Sequence, residues 1–288
     1  MINLNVKIVE TPSGKDADYE NFPVGSCLLP THLRPHIAYY YRFARTIDDI
    51  ADNPETSADE KISRLEGFAK SIRGDDVSTP AYTIGHQMRK SLTETNVSEK
   101  HCLDLIDAFK QDAVKNRYQN WGELVDYCLL SAAPVGRYLI DLHGGTEDGY
   151  GPSDALCIVL QVINHLQDCK EDFLEMDRVY IPADWMAVYG VTVESLNQPN
   201  LSDPLSQVLG KVIFAIAELM PEAYKLPYGL YNRRLAMESQ VIINVADSLI
   251  DQLKAKDPLA ERVKLSKPAY VWCVVSGIAG YFSPRKPR

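Results

Sequence analysis

Apolar positions recur along this chain with the period of helices. Ile37, Tyr40, Tyr41 and Ala44 follow one another at helical spacing, and Leu156, Val159, Leu160 and Ile163 do so again farther on. A turn of about 3.6 residues places such positions on neighbouring faces. Strand-like alternation is scarce. The pattern predicts helices near 33–52, 58–73, 80–95, 98–115, 121–142, 152–174, 203–219, 221–252 and 258–281. Pro54 closes the first of these. Pro80, Pro152, Pro204 and Pro258 fall near predicted starts, where a missing N–H is tolerated. Gly144-Gly145 follows the fifth stretch as a stop. The fold class implied is all-α. No Ser/Gly-rich linker, charge block or internal repeat divides the chain, so one domain is expected over 1–288, with its core near 21–282 and a basic tail at 283–288. A central cavity between helices would suit a long apolar ligand.

Composition narrows the function classes. The formal net charge of −9 argues against a nucleic-acid surface. Six scattered cysteines with no CxxC spacing read as free thiols in a reducing compartment. Met1–Glu10 has no apolar core of a signal peptide. The apolar tract 269–282 is too short to span a bilayer comfortably. A cytoplasmic protein is expected, with a peripheral contact at the inner membrane that the basic tail 283–288 could assist through anionic lipid.

Two aspartate-rich segments carry the chemistry. The first is Arg45-Thr46-Ile47-Asp48-Asp49-Ile50-Ala51-Asp52, and the second runs from Gln161 to Asp172. Each holds an Asp pair at i, i+4: Asp48/Asp52 and Asp168/Asp172. On a helix that spacing sets both carboxylates on one face, where they repel. A divalent cation reverses the sign, and hard oxygen ligands suit Mg²⁺ holding a substrate phosphate. Gln161, Asn164, Asp168 and Asp172 trace one stripe along a helix otherwise apolar over much of its surface. The bland alternative is a solvated surface pair. Two pairs in apolar helices, one flanked by two carboxamides, favour a metal–diphosphate site.

These residues resemble the squalene/phytoene synthase family. Tyr41 to Asp52 is similar to its first aspartate motif. Gln161 to Asp172, followed by Arg178-Val179-Tyr180-Ile181-Pro182, is similar to its second. Tyr127 to Gly136 matches the intervening helix in position and character. The resemblance implies a prenyl synthase of the isoprenoid α-fold, in which Mg²⁺, or Mn²⁺ in its place, bridges both motifs to a prenyl diphosphate. Carried over, Asp48, Asp52, Asp168 and Asp172 would bind metal and diphosphate. Asn164 would help hold the metal, with Gln161 a turn away on the same stripe. Arg45 would bind diphosphate oxygen, and Tyr127 would face the reacting carbons. Arg178 and Tyr180 could cap the site or serve structure alone.

The chain departs from the pattern of members that couple two prenyl diphosphates. Their Ser-x-Ser-Phe type motif is replaced by Glu20-Asn21-Phe22-Pro23-Val24-Gly25-Ser26. Arg137 stands where many carry an acid after Val-Gly. Both features look most like the bacterial hopanoid-pathway branch that forms hydroxysqualene. That branch ionises presqualene diphosphate, received from the enzyme that makes it, and captures the cation with water without NADPH. On this reading Asn21 would hold the water and Arg137 would anchor departing diphosphate. One alternative is a coupling enzyme that makes presqualene diphosphate, squalene or dehydrosqualene from farnesyl diphosphate. Another is a non-catalytic helical protein that binds prenyl lipids.

Other candidates weigh less. His32 and His36 have zinc-like spacing but no third ligand and Pro35 between them. His165 points away from Asn164 and suits the core better than catalysis. Asp49 and Glu171 lie off the stripes. Arg262, Lys264 and Lys267 read as a solvated basic face.

Overall fold

The computed structural model describes residues 28–282. Its contacts cluster into two compact units, residues 1–115 and 116–288. No strand occurs among the described residues; one isolated parallel bridge joins Arg117 and Val179.

Four helices build the described part of the first unit: α1 (Arg34–Asp52), α2 (Ala58–Arg73), α3 (Thr83–Thr95) and α4 (Lys100–Asp112). The signals for α2 are local. Ser57 accepts from the Glu60 N–H, Asp59 and Glu60 sit in the first turn, and Lys70 and Arg73 in the last. All suit the helix dipole. Gly74 ends it at φ 84°, a left-handed conformation that a Cβ disfavours. Apolar faces meet in a core of Phe43, Ile47, Leu65, Phe68 and Ile106, with the Phe43 and Phe68 rings edge-on at 6.2 Å.

The second unit holds α5 (Trp121–Ser131), α6 (Ala133–Leu142), α7 (Tyr150–Gln167), α8 (Cys169–Met176), α9 (Ala183–Val188), α10 (Asp203–Ala217), α11 (Met220–Ala223), α12 (Leu226–Gly229), α13 (Arg233–Ala255) and α14 (Lys267–Phe282). Asn120, Ser202 and Asn232 cap α5, α10 and α13 through their side chains. α7 packs against α5, α6, α10, α11 and α13. It buries Leu156, Val159, Leu160, Val162 and Ile163.

Several predicted helices are cut. The stretch 121–142 breaks at Ala132 (φ −123°), because Pro134 has no N–H to continue the ladder and starts α6 instead. The stretch 221–252 contains Pro221, Pro227 and Gly229 and resolves into α11, α12 and α13. The last helix begins at Lys267 instead of 258. There the Asp257 carboxylate takes the N–H groups of Leu201, Leu259 and Ala260 and holds the backbone in a turn. The stretch 152–174 is divided at Asp168 (φ −107°, ψ 8°). The i→i−4 hydrogen bonds nonetheless continue through the break, from Asp168 N to Asn164 O (3.0 Å) and from Asp172 N to Asp168 O (2.8 Å).

Candidate active site

In the first unit the motif lies on the last turns of α1. Ile47, Ile50 and Ala51 are buried, while Arg45, Asp48, Asp49 and Asp52 remain partly accessible along one side. Arg45 reaches Asp48 and Asp49, each at 2.9 Å. Burial draws the guanidinium pKa down, but the charges of Asp48, Asp49 and Asp52 outweigh it, and the net shift is upward. Asp49, off the predicted stripe, is therefore an Arg45 partner. The outcome is a carboxylate strip with a cation already held beside it.

In the second unit Gln161, Asn164, Asp168 and Asp172 are each half-buried, whereas Val162, Ile163, His165, Leu166, Gln167 and Cys169 are buried. The expected polar stripe is thus the accessible edge of a buried helix. Sequence reasoning missed one of its partners. Arg262, in the segment between α13 and α14, forks onto Asp168, Nε to Oδ1 at 2.9 Å and Nη2 to Oδ2 at 3.1 Å. Its signal in the sequence is the basic cluster 262–267, which by itself reads as a solvated face. Glu171 is exposed. Past α8 the chain turns through Asp177 (φ 52°), the Arg178 N–H bonds Asp172 O at 3.0 Å, and the Arg178 side chain is buried.

The second unit also holds an aromatic cluster. Tyr127 and Tyr180 are 5.6 Å apart between centroids, and Tyr118 lies 5.2 Å from Tyr127 and 5.5 Å from Tyr180. His165 stacks on Tyr180 at 3.5 Å with the planes 11° apart, and its Nε2 lies 3.2 Å from the Gln161 amide nitrogen. Burial, and then the Arg178 charge, push His165 down to about 3, so it is neutral at ordinary pH. Tyr118 had not been distinguished from the other tyrosines; only its position after the Arg117 bridge brings it here.

Arg137 has a partner of its own. Its fork takes both oxygens of Asp154, Nε–Oδ1 at 2.9 Å and Nη2–Oδ2 at 2.7 Å, while the guanidinium lies 5.5 Å from the Tyr150 ring centre. It thereby ties α6 to α7. Gly136 makes that approach close, since a Cβ there would come within 2.2 Å of Ser153 Oγ. Asn21 and the 20–26 stretch lie outside the described residues. His36 Nδ1 lies 2.8 Å from Ser91 Oγ.

Among the described residues no three His, Cys, Asp or Glu side chains converge to hold a metal by themselves. Mg²⁺ binds through one or two carboxylates and takes its remaining ligands from water and substrate phosphate, and the half-buried pairs Asp48/Asp52 and Asp168/Asp172 are donors of that chemistry. A separate cavity of about 360 Å³ in the second unit is lined by residues including Leu209, Ile213, Phe214 and Leu253, and by none of the candidate site residues.

Residues 16–269 match the squalene/phytoene synthase family. The chain belongs to that family. Hydroxysqualene synthase of Zymomonas mobilis is 40% identical over 88% of this chain and 86% of its own, and that of Sinorhizobium fredii is 39% identical over 86% and 84%. A phytoene synthase of Mycobacterium tuberculosis is 30% identical over 75% of this chain and 76% of its own. Among solved structures, squalene synthase HpnC from Alicyclobacillus acidocaldarius aligns with a TM-score of 0.70 at 26% identity, covering 81% of this chain and 87% of that one. A dehydrosqualene synthase, 18% identical, shares the fold with a TM-score of 0.76 over 94% and 93%. The all-α isoprenoid synthase architecture expected of the family is the one observed.

Proposed function

We propose that this chain converts presqualene diphosphate and water to hydroxysqualene and diphosphate. The observation that carries the reading is identity near 40% to hydroxysqualene synthases over most of both chains, with both aspartate motifs intact. As a squalene/phytoene synthase family enzyme, it acts on a prenyl diphosphate.

The residues divide the work. Asp48 and Asp52 in the first unit, and Asp168, Asp172 and Asn164 in the second, offer the hard oxygens for Mg²⁺. Bound metal supplies the positive charge that makes diphosphate a good leaving group. Arg45 and Arg262 hold carboxylates at rest and can turn their N–H groups to diphosphate oxygens, for which a planar fork is well shaped. As the C–O bond breaks, the substrate carbon becomes cationic. The faces of Tyr127, Tyr118 and Tyr180 favour such a charge, and a neutral His165 adds no competing cation. Water oxygen then bonds to the cation and releases a proton. Arg137, engaged with Asp154, fits best as a support for α6 on α7, and the water-holding role rests with Asn21.

Incubation with presqualene diphosphate, Mg²⁺ and ¹⁸O-labelled water, without NADPH, should yield a labelled alcohol by mass spectrometry. Efficient formation of a hydrocarbon or of presqualene diphosphate from farnesyl diphosphate alone would replace this reading with the coupling one.

A further inference from the structure

α5 ends on a buried hydroxyl. Ser131 is its last residue, 9% exposed, and its Oγ has no hydrogen-bond partner among the described residues. A serine inside a helix ordinarily folds its hydroxyl back onto a carbonyl of the preceding turn or finds a neighbour. The other buried serines of the described chain are engaged in this way. Ser71 donates to Phe68 O at 2.7 Å and Ser239 to Leu235 O at 2.9 Å, Ser91 Oγ lies 2.8 Å from His36 Nδ1, and Ser153 bonds Cys157. Ser131 makes no such bond, so its hydroxyl is turned from the carbonyls of Tyr127 and Cys128. Burying a hydroxyl without a partner is unfavourable, and folding alone gives no reason for a serine where an alanine would serve.

Its surroundings are those of the reacting carbons. One turn earlier, on the same face of α5, stands Tyr127, whose ring centre lies 6.1 Å from that of His165 and 5.6 Å from that of Tyr180. Past the break at Ala132, Gly136 is pressed onto α7, where a Cβ would come within 2.2 Å of Ser153 Oγ and 2.8 Å of Cys157 Sγ. The chain from Tyr127 to Gly136 therefore passes along α7 from His165 to Cys157. Ser131 falls between these contacts, on the stretch of α7 that carries Gln161. There the Gln161 amide nitrogen, 3.2 Å from His165 Nε2, adds a second polar group to a wall of aromatic rings.

We propose that Ser131 is a positioning residue that holds the water molecule which captures the carbocation. The inference rests on the proposed conversion of presqualene diphosphate to hydroxysqualene, and it gives Ser131 a share in the water-holding role of Asn21. A water fixed opposite one carbon needs two or more polar partners, and a hydroxyl can both accept from it and donate to it. Diphosphate leaves with the electron pair of the broken C–O bond. The oxygen of the held water then gives a lone pair to the cationic carbon, and the spare proton passes to a diphosphate oxygen. Ser131 keeps its own proton throughout, so its effect is on where the oxygen is placed. Without a placed water the cation loses a proton from a neighbouring carbon and ends as a hydrocarbon.

Presqualene diphosphate, Mg²⁺ and ¹⁸O-labelled water, given to wild type and to Ser131→Ala, Ser131→Thr and Ser131→Val, test this when diphosphate release and products are measured together. In Ser131→Ala the ratio of labelled alcohol to elimination hydrocarbon should fall about tenfold, the factor that one hydrogen bond accounts for. Diphosphate release should fall less than alcohol formation. Threonine and valine share a shape and differ in the hydroxyl, so Ser131→Thr should retain more alcohol than Ser131→Val. The melting temperature of Ser131→Ala should equal or exceed that of wild type, because a buried hydroxyl without a protein partner is removed. An unchanged product ratio in Ser131→Ala, or equal ratios in Ser131→Thr and Ser131→Val, would overturn the proposal and leave the hydroxysqualene assignment standing. A wild type that forms no labelled alcohol would remove that assignment and this inference with it.

Discussion

His165 should make the fold acid-sensitive in a way that one substitution removes. In the folded protein its ring is stacked on Tyr180 at 3.5 Å, and burial followed by the Arg178 charge pushes it down to about 3. In the unfolded chain a histidine titrates near 6.5. Above that value both states hold a neutral ring, and His165 contributes no pH dependence. As pH falls below it, the unfolded chain takes a proton that the folded protein refuses until about pH 3. Stability is therefore lost on acidification across that window. Going from about pH 7.5 to about pH 5, the loss from this group alone is about 2 kcal/mol. For a chain of this size that is a fall of about 3 °C in Tm. His165→Phe keeps a flat ring against Tyr180 and cannot titrate. It gives up the contact with Gln161, so it should start from a lower stability at neutral pH. Its decline on acidification should be shallower than wild type by about 2 kcal/mol. Urea unfolding followed by circular dichroism, run on both proteins at the two pH values, gives the difference with other titrating groups cancelled. Parallel losses in the two proteins would show that His165 accepts a proton while folded, and the reasoning would fail.

Two further outcomes follow from the site and the packing. Asp48→Asn and Asp168→Asn should each cut Mg²⁺-dependent turnover by about a hundredfold or more with the helical fold retained, and Asp168→Asn should also lower the thermal melt, because it breaks the partly buried fork with Arg262; near-normal turnover in either would remove these residues from the site. Gly277→Ala should cost about 1–3 kcal/mol in denaturant unfolding, since the new Cβ would meet Val241 Cγ2 at 2.7 Å and the Val241 Cα at 2.8 Å, and the backbone atom cannot swing away; an unchanged midpoint would show that α14 can shift freely on α13.

The sequence by itself determined what depends on neighbours a few residues apart. Periodicity specified α1 and α2 closely, and the offsets of Gln161, Asn164, Asp168 and Asp172 specified the accessible edge of α7 and α8. These are short-range properties of a helical chain, and they sufficed for the fold class; the family rested on the resemblance of the two aspartate motifs. Breaks were harder to read. Pro134 and Pro221 do mark them, but a proline at a helix start and one inside a longer pattern look the same until packing decides. Only the tertiary structure decided which charges meet. Arg262 and Asp168 are 94 residues apart, and no local pattern links a loop arginine to one aspartate among many. The motif position of Arg137 suggests a diphosphate anchor, and only the fold shows that its planar fork meets the two oxygens of Asp154 on the next helix. Ion pairs and ring stacks depend on distances between elements, which the one-dimensional pattern does not contain. The same holds for the neutral His165: its shift comes from burial and from Arg178, and both exist only once the chain has folded.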